Sequence, residues 1–201
     1  MRQHSRRSGQ AMVELAILLP LMMLLFLGSW TAADLIADND TALQATRAGA
    51  RYAAELGGTM PTGTAPANCS TTTCWVDMEI IDQMLPIVNG KMPNAVVSEI
   101  DIYEPSGGGG VGNPGCTTFS TSCPPNNGAY TAGELVNIYG ISGTTVTVPA
   151  SYPYTLGLRY QLQPDEAELG VRIVFTYTSP TLHLFTQTDS QYTVVRLSPQ
   201  E

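Results

Sequence analysis

The sequence predicts an α+β protein, in which a long N-terminal transmembrane helix extends into an amphipathic helix and is followed by an exported antiparallel β-sheet domain. Three observations lead to this prediction. The run from Ala11 to Ala33 contains only one charged residue, Glu14. Apolar and small residues then recur every three or four positions as far as Leu56. Beyond residue 58, short stretches alternate apolar with polar side chains.

The apolar run is long enough to cross a bilayer. As a helix, 23 residues span about 34 Å, against a hydrocarbon core of roughly 30 Å. Arg2, Arg6 and Arg7 precede the run, and basic residues mark the cytoplasmic side of a membrane helix. We therefore expect a single-pass protein of the cytoplasmic membrane, with its N-terminus in the cytoplasm and its C-terminal domain exported.

Three other interpretations of this run compete. A buried core helix is disfavoured, because the run is too long and too uniformly apolar. A cleaved secretory signal fits the basic start and the small residues 31–33, but Glu14 interrupts its apolar region and the helical pattern continues past Ala33. A twin-arginine signal needs bulky apolar residues after the arginines, where Ser8, Gly9 and Gln10 stand.

Residues 34–56 continue as an amphipathic helix. A mildly apolar stripe at helical spacing consists of Ala32, Leu35, Asn39, Leu43, Thr46, Ala50 and Ala53. Gly57 and Gly58 are expected to end this helix, and Pro20 to kink it, since proline removes one backbone donor. The predicted units are thus a basic leader over residues 1–9, a transmembrane helix over 10–33, a helical extension over 34–57 and an exported β-rich domain over 58–201.

The exported domain shows one short helix and several strands. The helix is predicted from Trp75 to Leu85, with Pro86 closing it. Strand-like alternation occurs at Ile100 and Ile102, at Val146 and Val148, from Leu156 to Leu162, from Val171 to Tyr177 and from Gln191 to Leu197. Residues 105–133 are expected to form a long irregular excursion. We expect the sheet to lie against the exported half of the long helix.

Charge excludes one class of partner. The chain carries a net charge of −8, and beyond residue 9 only six basic residues stand against seventeen acidic ones. A surface of this sign repels phosphate backbones, so we expect no nucleic-acid partner.

Four cysteines follow the membrane segment, namely Cys69, Cys74, Cys116 and Cys123. An even number in an exported region predicts disulfides. The close spacings favour Cys69–Cys74 and Cys116–Cys123, although crossed pairings stay open. A zinc site is the weaker alternative, because the spacings are wider than in most zinc pairs and no histidine stands near.

Residues for catalysis are scarce. Only two histidines are present, His4 in the leader and His183 within an apolar-alternating stretch. Glycines at Gly107, Gly109 and Gly112 match the spacing of a nucleotide-binding loop, but Pro114 follows in place of a helix. We therefore expect no enzymatic activity, no cofactor and no metal ion.

The N-terminal residues carry a resemblance to a known class of protein. Gly9 precedes Gln10, and Glu14 is the fifth residue counted from Gln10. This arrangement, between a basic start and an unbroken apolar helix, resembles the processing site of type IV prepilins and pseudopilins. The resemblance implies cleavage after Gly9 by a membrane prepilin peptidase, and it assigns Glu14 a role in processing and assembly.

A longer segment resembles one family in particular. The stretch "GQAMVELAILLPLMMLLFLGSW", followed by "NDTALQATRAGARYAA", is similar to the TadE-like pseudopilins of Flp/Tad pilus assembly. The shared features fall on Gly9 to Glu14, on Pro20 and on Arg47 to Ala53. The resemblance implies a membrane-anchored minor pilin or pseudopilin that acts in assembly of an adhesive Flp/Tad-type pilus or a related secretion apparatus. Its implied partners are the membrane, a prepilin peptidase, other pilin-like subunits and pilus-assembly platform proteins.

Two alternative functions come from other classes. An uncleaved signal-anchor would make the chain an envelope binding module with an exported domain. Ordinary signal cleavage would release a secreted enzyme, which the scarcity of catalytic residues disfavours.

Overall fold

The computed structural model describes residues 5–56, 60–105, 135–150, 152–159, 168–180 and 185–197. Its helices are α1 (Ser5–Leu56) and α2 (Thr72–Lys91), with one short 3-10 helix (Leu156–Arg159). Its strands are β1 (Ala95–Tyr103), β2 (Val136–Ser142), β3 (Thr145–Thr147), β4 (Glu168–Thr178) and β5 (Thr186–Arg196). The predicted α+β class is confirmed, with a long apolar helix first and a sheet after it.

The five strands form one antiparallel sheet in the order β3-β2-β1-β4-β5. β1 lies in the centre, where Ile100 is paired with Ile173 of β4 and with Tyr139 of β2. β4 and β5 pair without a break along eleven residues each. Strand β2 was not predicted, because its inward positions include the polar residues Asn137 and Tyr139, which disturb the expected alternation.

The C-terminal half of α1 and the whole of α2 cover one face of this sheet. The core between them is apolar and includes Ile80, Ile81, Met84, Ile100, Ile102, Ile173 and Phe175, none of which is accessible to solvent. The face that α1 buries carries mostly small side chains, Ala42, Ala45, Gly49, Ala50 and Ala53. Only part of the predicted stripe coincides with this face, since Leu35, Asn39 and Leu43 are half-buried at its margin.

Gly49 lets α1 and α2 approach each other closely. A methyl group at this position would lie 2.5 Å from Sδ of the buried Met84 and 3.3 Å from Cγ2 of Ile80. Close helix contact at a small residue explains why glycine is retained in a helix interior, where it costs about 0.5–1 kcal/mol relative to alanine.

We expect Gly49→Val to lower the free energy of unfolding by about 1–3 kcal/mol, because the larger side chain overpacks this contact. Chemical denaturation of the full chain in detergent micelles measures the change. Combining Gly49→Val with Met84→Ala makes room for the new side chain and should recover part of the loss. A double variant no better than the sum of its single variants would contradict the close-contact account.

Proline 86 does not close α2. The prediction that the helix ends at Leu85 is wrong, since α2 continues to Lys91 with Pro86 inside it. Pro86 cannot donate to the carbonyl of Asp82, and both residues are exposed. The buried Val88 and Met92 extend the apolar face of the helix beyond the proline.

The strand predicted from Leu156 to Leu162 is also wrong over its described part. Residues 156–159 form the 3-10 helix, which places Leu156 and Arg159 on the same, buried side. The Leu156 amide donates to Thr73 Oγ1 at 3.0 Å, so a bond to α2 takes the place of a strand pairing. Residues 160–162 lie outside the described residues, as does nearly all of the excursion predicted over 105–133.

Candidate functional site

The N-terminal half of α1 is an exposed apolar rod. An 18-residue window within Ala11–Leu56 has a mean hydropathy of 2.3, and none of that window is buried. Every residue from Ala11 to Trp30 is exposed, and large side chains such as Met12 and Ile17 are about 70% accessible. In length and composition this helix is able to cross a membrane. An apolar surface of this extent is unfavourable in water, so lipid or a partner protein is expected to cover it.

The helix is continuous across the end of the predicted membrane segment. α1 runs without interruption through Pro20 and past Ala33 to Leu56. The membrane segment is therefore joined to the folded domain by helix and not by a flexible linker.

The residues predicted for processing all lie near the start of α1. The backbone of Gly9 and Gln10 is helical, and Glu14 follows one turn after Gln10 with an exposed side chain. The assignment of Gly9 and Gln10 as a cleavage site, and of Glu14 as the residue for processing and assembly, stays a prediction.

Polar contacts attach α1 to the sheet beyond the membrane segment. Gln191 Nε2 donates to Asn39 Oδ1 at 2.7 Å, and the hydroxyls of Thr46 and Thr193 are 2.9 Å apart. These bonds join α1 to β5, the edge strand that packs beside it. They fix the rotation and the axial position of the helix on the sheet, which the small apolar residues alone specify poorly.

Asp38 is an unexpected member of this contact. Its side chain is buried, with the residue 2% exposed, and its Oδ2 has no hydrogen-bond partner among the described residues. Burial, together with the neighbouring carboxylate of Asp34, raises the pKa of Asp38 above its usual value. A carboxyl group in such a place favours its neutral form.

A disulfide closes the start of α2. Cys69 and Cys74 are bonded, with Cα atoms 5.4 Å apart, which is one of the two local pairings favoured by the spacing. Thr71 caps the helix, its side chain accepting a hydrogen bond from the Cys74 amide. Cys116 and Cys123 lie outside the described residues.

A buried ion pair lies next to this helix start. Arg159 Nη1 donates to Asp77 Oδ1 at 2.6 Å, and both side chains are almost wholly inaccessible. Tyr139 and Asn137 of β2 donate to the other carboxylate oxygen at 2.7 and 2.8 Å. Arg159 also lies over the ring of Tyr154, 4.6 Å from its centroid. Three elements, α2, β2 and the 3-10 helix, are thus joined by one carboxylate.

The electrostatics of this group follow from its burial. Burial and the neighbouring carboxylate of Asp77 raise the pKa of Tyr139 well above its usual value. Burial lowers the pKa of Arg159, but the adjacent Asp77 raises it. The net effect is a pKa above the usual value, so the guanidinium stays ionised. The group is a buried, hydrogen-bonded ion pair that connects α2, β2 and the 3-10 helix.

A second ion pair lies on the opposite face of the sheet. Arg172 Nη1 of β4 donates to Asp101 Oδ2 of β1 at 2.9 Å, and neither side chain is accessible. Glu99 lies two residues before Asp101, on the same side of the strand, and is 4% exposed. Burial and the adjacent Asp101 raise the pKa of Glu99 to about 9, although Arg172 acts in the opposite sense. Burial therefore favours the neutral form of Glu99.

Neither buried ion pair was predicted from the sequence. Asp77 and Arg159 are 82 residues apart, and Asp101 and Arg172 are 71 apart, so no local pattern connects them. The one available signal was an arginine within each of two strand-like apolar stretches. Among the residues that the structure describes, no group of three or more histidine, cysteine, aspartate or glutamate side chains is placed to hold a metal ion.

Comparison with known proteins gives one result. Residues 9–51 match the family model described as TadE-like protein. This match covers about a fifth of the chain, and it includes Gly9, Gln10 and Glu14, the apolar half of α1 and the first part of its flank. The predicted resemblance is confirmed over that segment. No curated protein and no solved structure matches the chain.

Proposed function

We propose that this chain, TadE-like over residues 9–51, is a membrane-anchored minor pilin or pseudopilin that acts in assembly of a Flp/Tad-type pilus or a related secretion apparatus. The proposed role is structural and not enzymatic. One observation carries the proposal: the TadE-like segment is an exposed apolar helix that passes, without a linker, into the core of a folded domain.

The apolar half of α1 would hold the subunit in the cytoplasmic membrane. The arginines before it support a cytoplasmic N-terminus, since basic residues are retained on that side. The disulfide between Cys69 and Cys74 supports an oxidising, exported location for the domain that follows. The sheet and α2 would then present specific surfaces to other pilin-like subunits and to platform proteins.

Processing would create a new charge near Glu14. A prepilin peptidase cutting after Gly9 leaves an α-amine on Gln10, whose pKa in model peptides is roughly 7.7–8.0. Carboxylates are costly in hydrocarbon, by about 2.5–3.5 kcal/mol for aspartate near a helix centre on insertion scales. An amine on a neighbouring subunit would offset part of that cost by pairing with Glu14.

Sequencing the N-terminus of the protein purified from its native membrane tests this proposal. We expect a mature chain that starts at Gln10. A start at Met1 or Arg2 would instead indicate an uncleaved signal-anchor on an envelope binding module. A start at Asp34 would indicate a secreted product and would overturn the proposal.

The same preparations test Glu14. We expect Glu14→Ala to impair processing or incorporation into the assembly, measured by the mature start and by co-purification with pilin-like subunits. Leu18→Ala, a change at an exposed residue about one turn further along the helix, is the matched control and should leave both unchanged. If Glu14→Ala behaves like this control, the role assigned to the carboxylate is wrong.

A further inference from the structure

One end of the sheet lies against the last turn of the predicted membrane segment. Tyr177, near the end of β4, donates from its hydroxyl to the carbonyl of Thr31 at 3.3 Å. Further along α1, Thr46 contacts Thr193, near the end of β5. α1 and β5 therefore run away from the membrane side by side. We call the end of the sheet where β4 finishes and β5 begins the membrane-facing end.

Phe185 extends the membrane-facing end towards the bilayer. The Ser179 amide donates to the Phe185 carbonyl at 2.9 Å, which continues the pairing of β4 with β5 by one step. Phe185 stands two residues before Gln187, the partner of Tyr177. It therefore lies on the same face of the sheet as Tyr177, about 6.6 Å nearer to the membrane. The residue is 44% exposed.

The outward side of α1 stays apolar at the same level. Past residue 33, Ile36 and Ala37 are exposed. Asp34 is half-buried and Asp38 is buried, so the next fully exposed charge on the helix is Asp40. The surface that α1 shows to its surroundings thus changes from apolar to charged about 10.5 Å beyond residue 33.

The exposed apolar side chains of the domain are concentrated near this end. Beyond the apolar run, the large ones that are exposed within the described ranges are Ile36, Met60, Val96, Phe185 and Tyr192. Val96 is paired with Thr176, next to Tyr177 in β4, and is 66% exposed. Three of these five residues therefore lie at or beside the membrane-facing end. The boundary between headgroups and acyl chains accepts apolar side chains of this kind.

The position of the membrane-facing end selects the bilayer as its partner. The polar layer of a bilayer adds about 5–7 Å on each side of the hydrocarbon core. Tyr177 belongs to the sheet, and its bond to Thr31 lies two residues before the predicted end of the membrane segment. Because α1 is continuous into the domain, the sheet cannot stand clear of this polar layer.

We propose that the membrane-facing end of the domain docks into the headgroup–acyl boundary of the bilayer that holds α1. Phe185 is the main apolar anchor, with Ile36 and Val96 beside it. This inference rests on the proposed membrane anchoring. Contact at α1 and at Phe185 gives the domain two points of attachment, which fix its tilt on the membrane surface.

Tryptophan fluorescence of the full chain in phosphatidylcholine vesicles tests the docking. Phe185→Trp is made in a Trp30→Phe background, which removes the native tryptophan of the apolar run. Tyr192→Trp in the same background is the matched control, because Tyr192 is also an exposed aromatic residue and stands seven residues further along, about 23 Å from Phe185. The buried Trp75 is common to both variants.

Lipids with bromine on the upper part of their acyl chains quench only a fluorophore that touches them. We expect these lipids to reduce the added fluorescence of Phe185→Trp about twofold, because interfacial anchors reach about 5–10 Å into the boundary. The fluorescence of Tyr192→Trp should not change.

Iodide in the surrounding buffer should give the opposite result, quenching Tyr192→Trp and sparing Phe185→Trp. If iodide quenches Phe185→Trp and brominated lipid does not, the side chain faces water and the proposal is overturned. Protection of Phe185→Trp from both quenchers overturns it as well, because protein and not lipid then covers the side chain.

Leu18→Trp in the same background separates this inference from the proposed function. Leu18 is exposed within the apolar run, so brominated lipid should quench this variant if α1 crosses the bilayer. Absence of that quenching refutes the membrane anchoring itself. Quenching of Leu18→Trp without quenching of Phe185→Trp refutes only the docking of the membrane-facing end.

Discussion

Replacing Asp77 with alanine should lower the free energy of unfolding by about 3–5 kcal/mol, because the change leaves a buried guanidinium without its counter-ion. Arg159 is fully buried and bonds Asp77 at 2.6 Å. The same substitution removes the acceptor for Tyr139 and Asn137. Chemical denaturation of the full chain in detergent micelles, followed by near-ultraviolet circular dichroism of the tyrosines, measures the loss.

Two further variants identify the cause. Asp82→Ala changes an exposed aspartate on the same helix and should alter the free energy of unfolding by less than about 0.5 kcal/mol. Asp77→Leu combined with Arg159→Met replaces the pair with apolar side chains and should cost less than Asp77→Ala alone, the remaining loss being that of the acceptor for the Tyr139 hydroxyl. A loss below about 1 kcal/mol for Asp77→Ala would mean that Arg159 finds other partners or water.

The stability of the domain should fall as pH rises from about 4.5 towards about 9. The pKa of Glu99 is raised from 4.5 to about 9 in the folded protein. Below about 4.5 Glu99 is protonated in both states, so its contribution is fully present. Between these values the folded state keeps a proton that the unfolded chain has released, and stability is lost by up to about 1.4 kcal/mol per pH unit.

Glu99→Gln should flatten this dependence. Glutamine keeps the shape of the neutral acid and removes its ionisation, so the variant should be more stable than the wild type at alkaline pH. The free energy of unfolding is measured between about pH 6 and pH 8.5, above the range in which ordinary carboxyl groups titrate. Glu104→Gln, at a half-buried position just after β1, is the control. If Glu99→Gln retains the wild-type slope, another group binds the proton.

The parts of the fold that sequence predicted are those with a local pattern. The apolar segment of α1 needs nothing beyond its composition, because 23 residues with one charge favour a membrane helix wherever they occur. Strand β4 has apolar residues at every second position from Val171 to Tyr177, and it lies between β1 and β5. Both kinds of signal lie within a window of a few residues.

The parts that sequence missed depend on distant partners. Asn137 and Tyr139 point inward on β2 because Asp77 of α2 accepts their hydrogen bonds. The alternation from Leu156 to Leu162 suggested a strand, yet Arg159 has to reach Asp77 and the chain turns into a 3-10 helix. Pro86 lies inside α2, and the buried Val88 and Met92 beyond it belong to the core, a long-range contact that no local pattern at the proline indicates.

The candidate site likewise has a part that sequence predicted and a part that it did not. Gly9, Gln10 and Glu14 were found through their spacing and position before the apolar run, which is a property of the sequence alone. The bond between Asn39 and Gln191 depends on which side of α1 packs against β5, and its two residues are 152 apart in the chain.

The continuity of α1 has a mechanical consequence. A helix from Ser5 to Leu56 is a rod of about 78 Å, and its last five turns are fixed to the sheet by packing and by bonds such as Asn39–Gln191. Moving the apolar half along its own axis by one turn would lift the whole domain by about 5.4 Å, and rotating that half would rotate the domain with it. A displacement or rotation of the apolar half is therefore transmitted to the folded domain along one continuous helix.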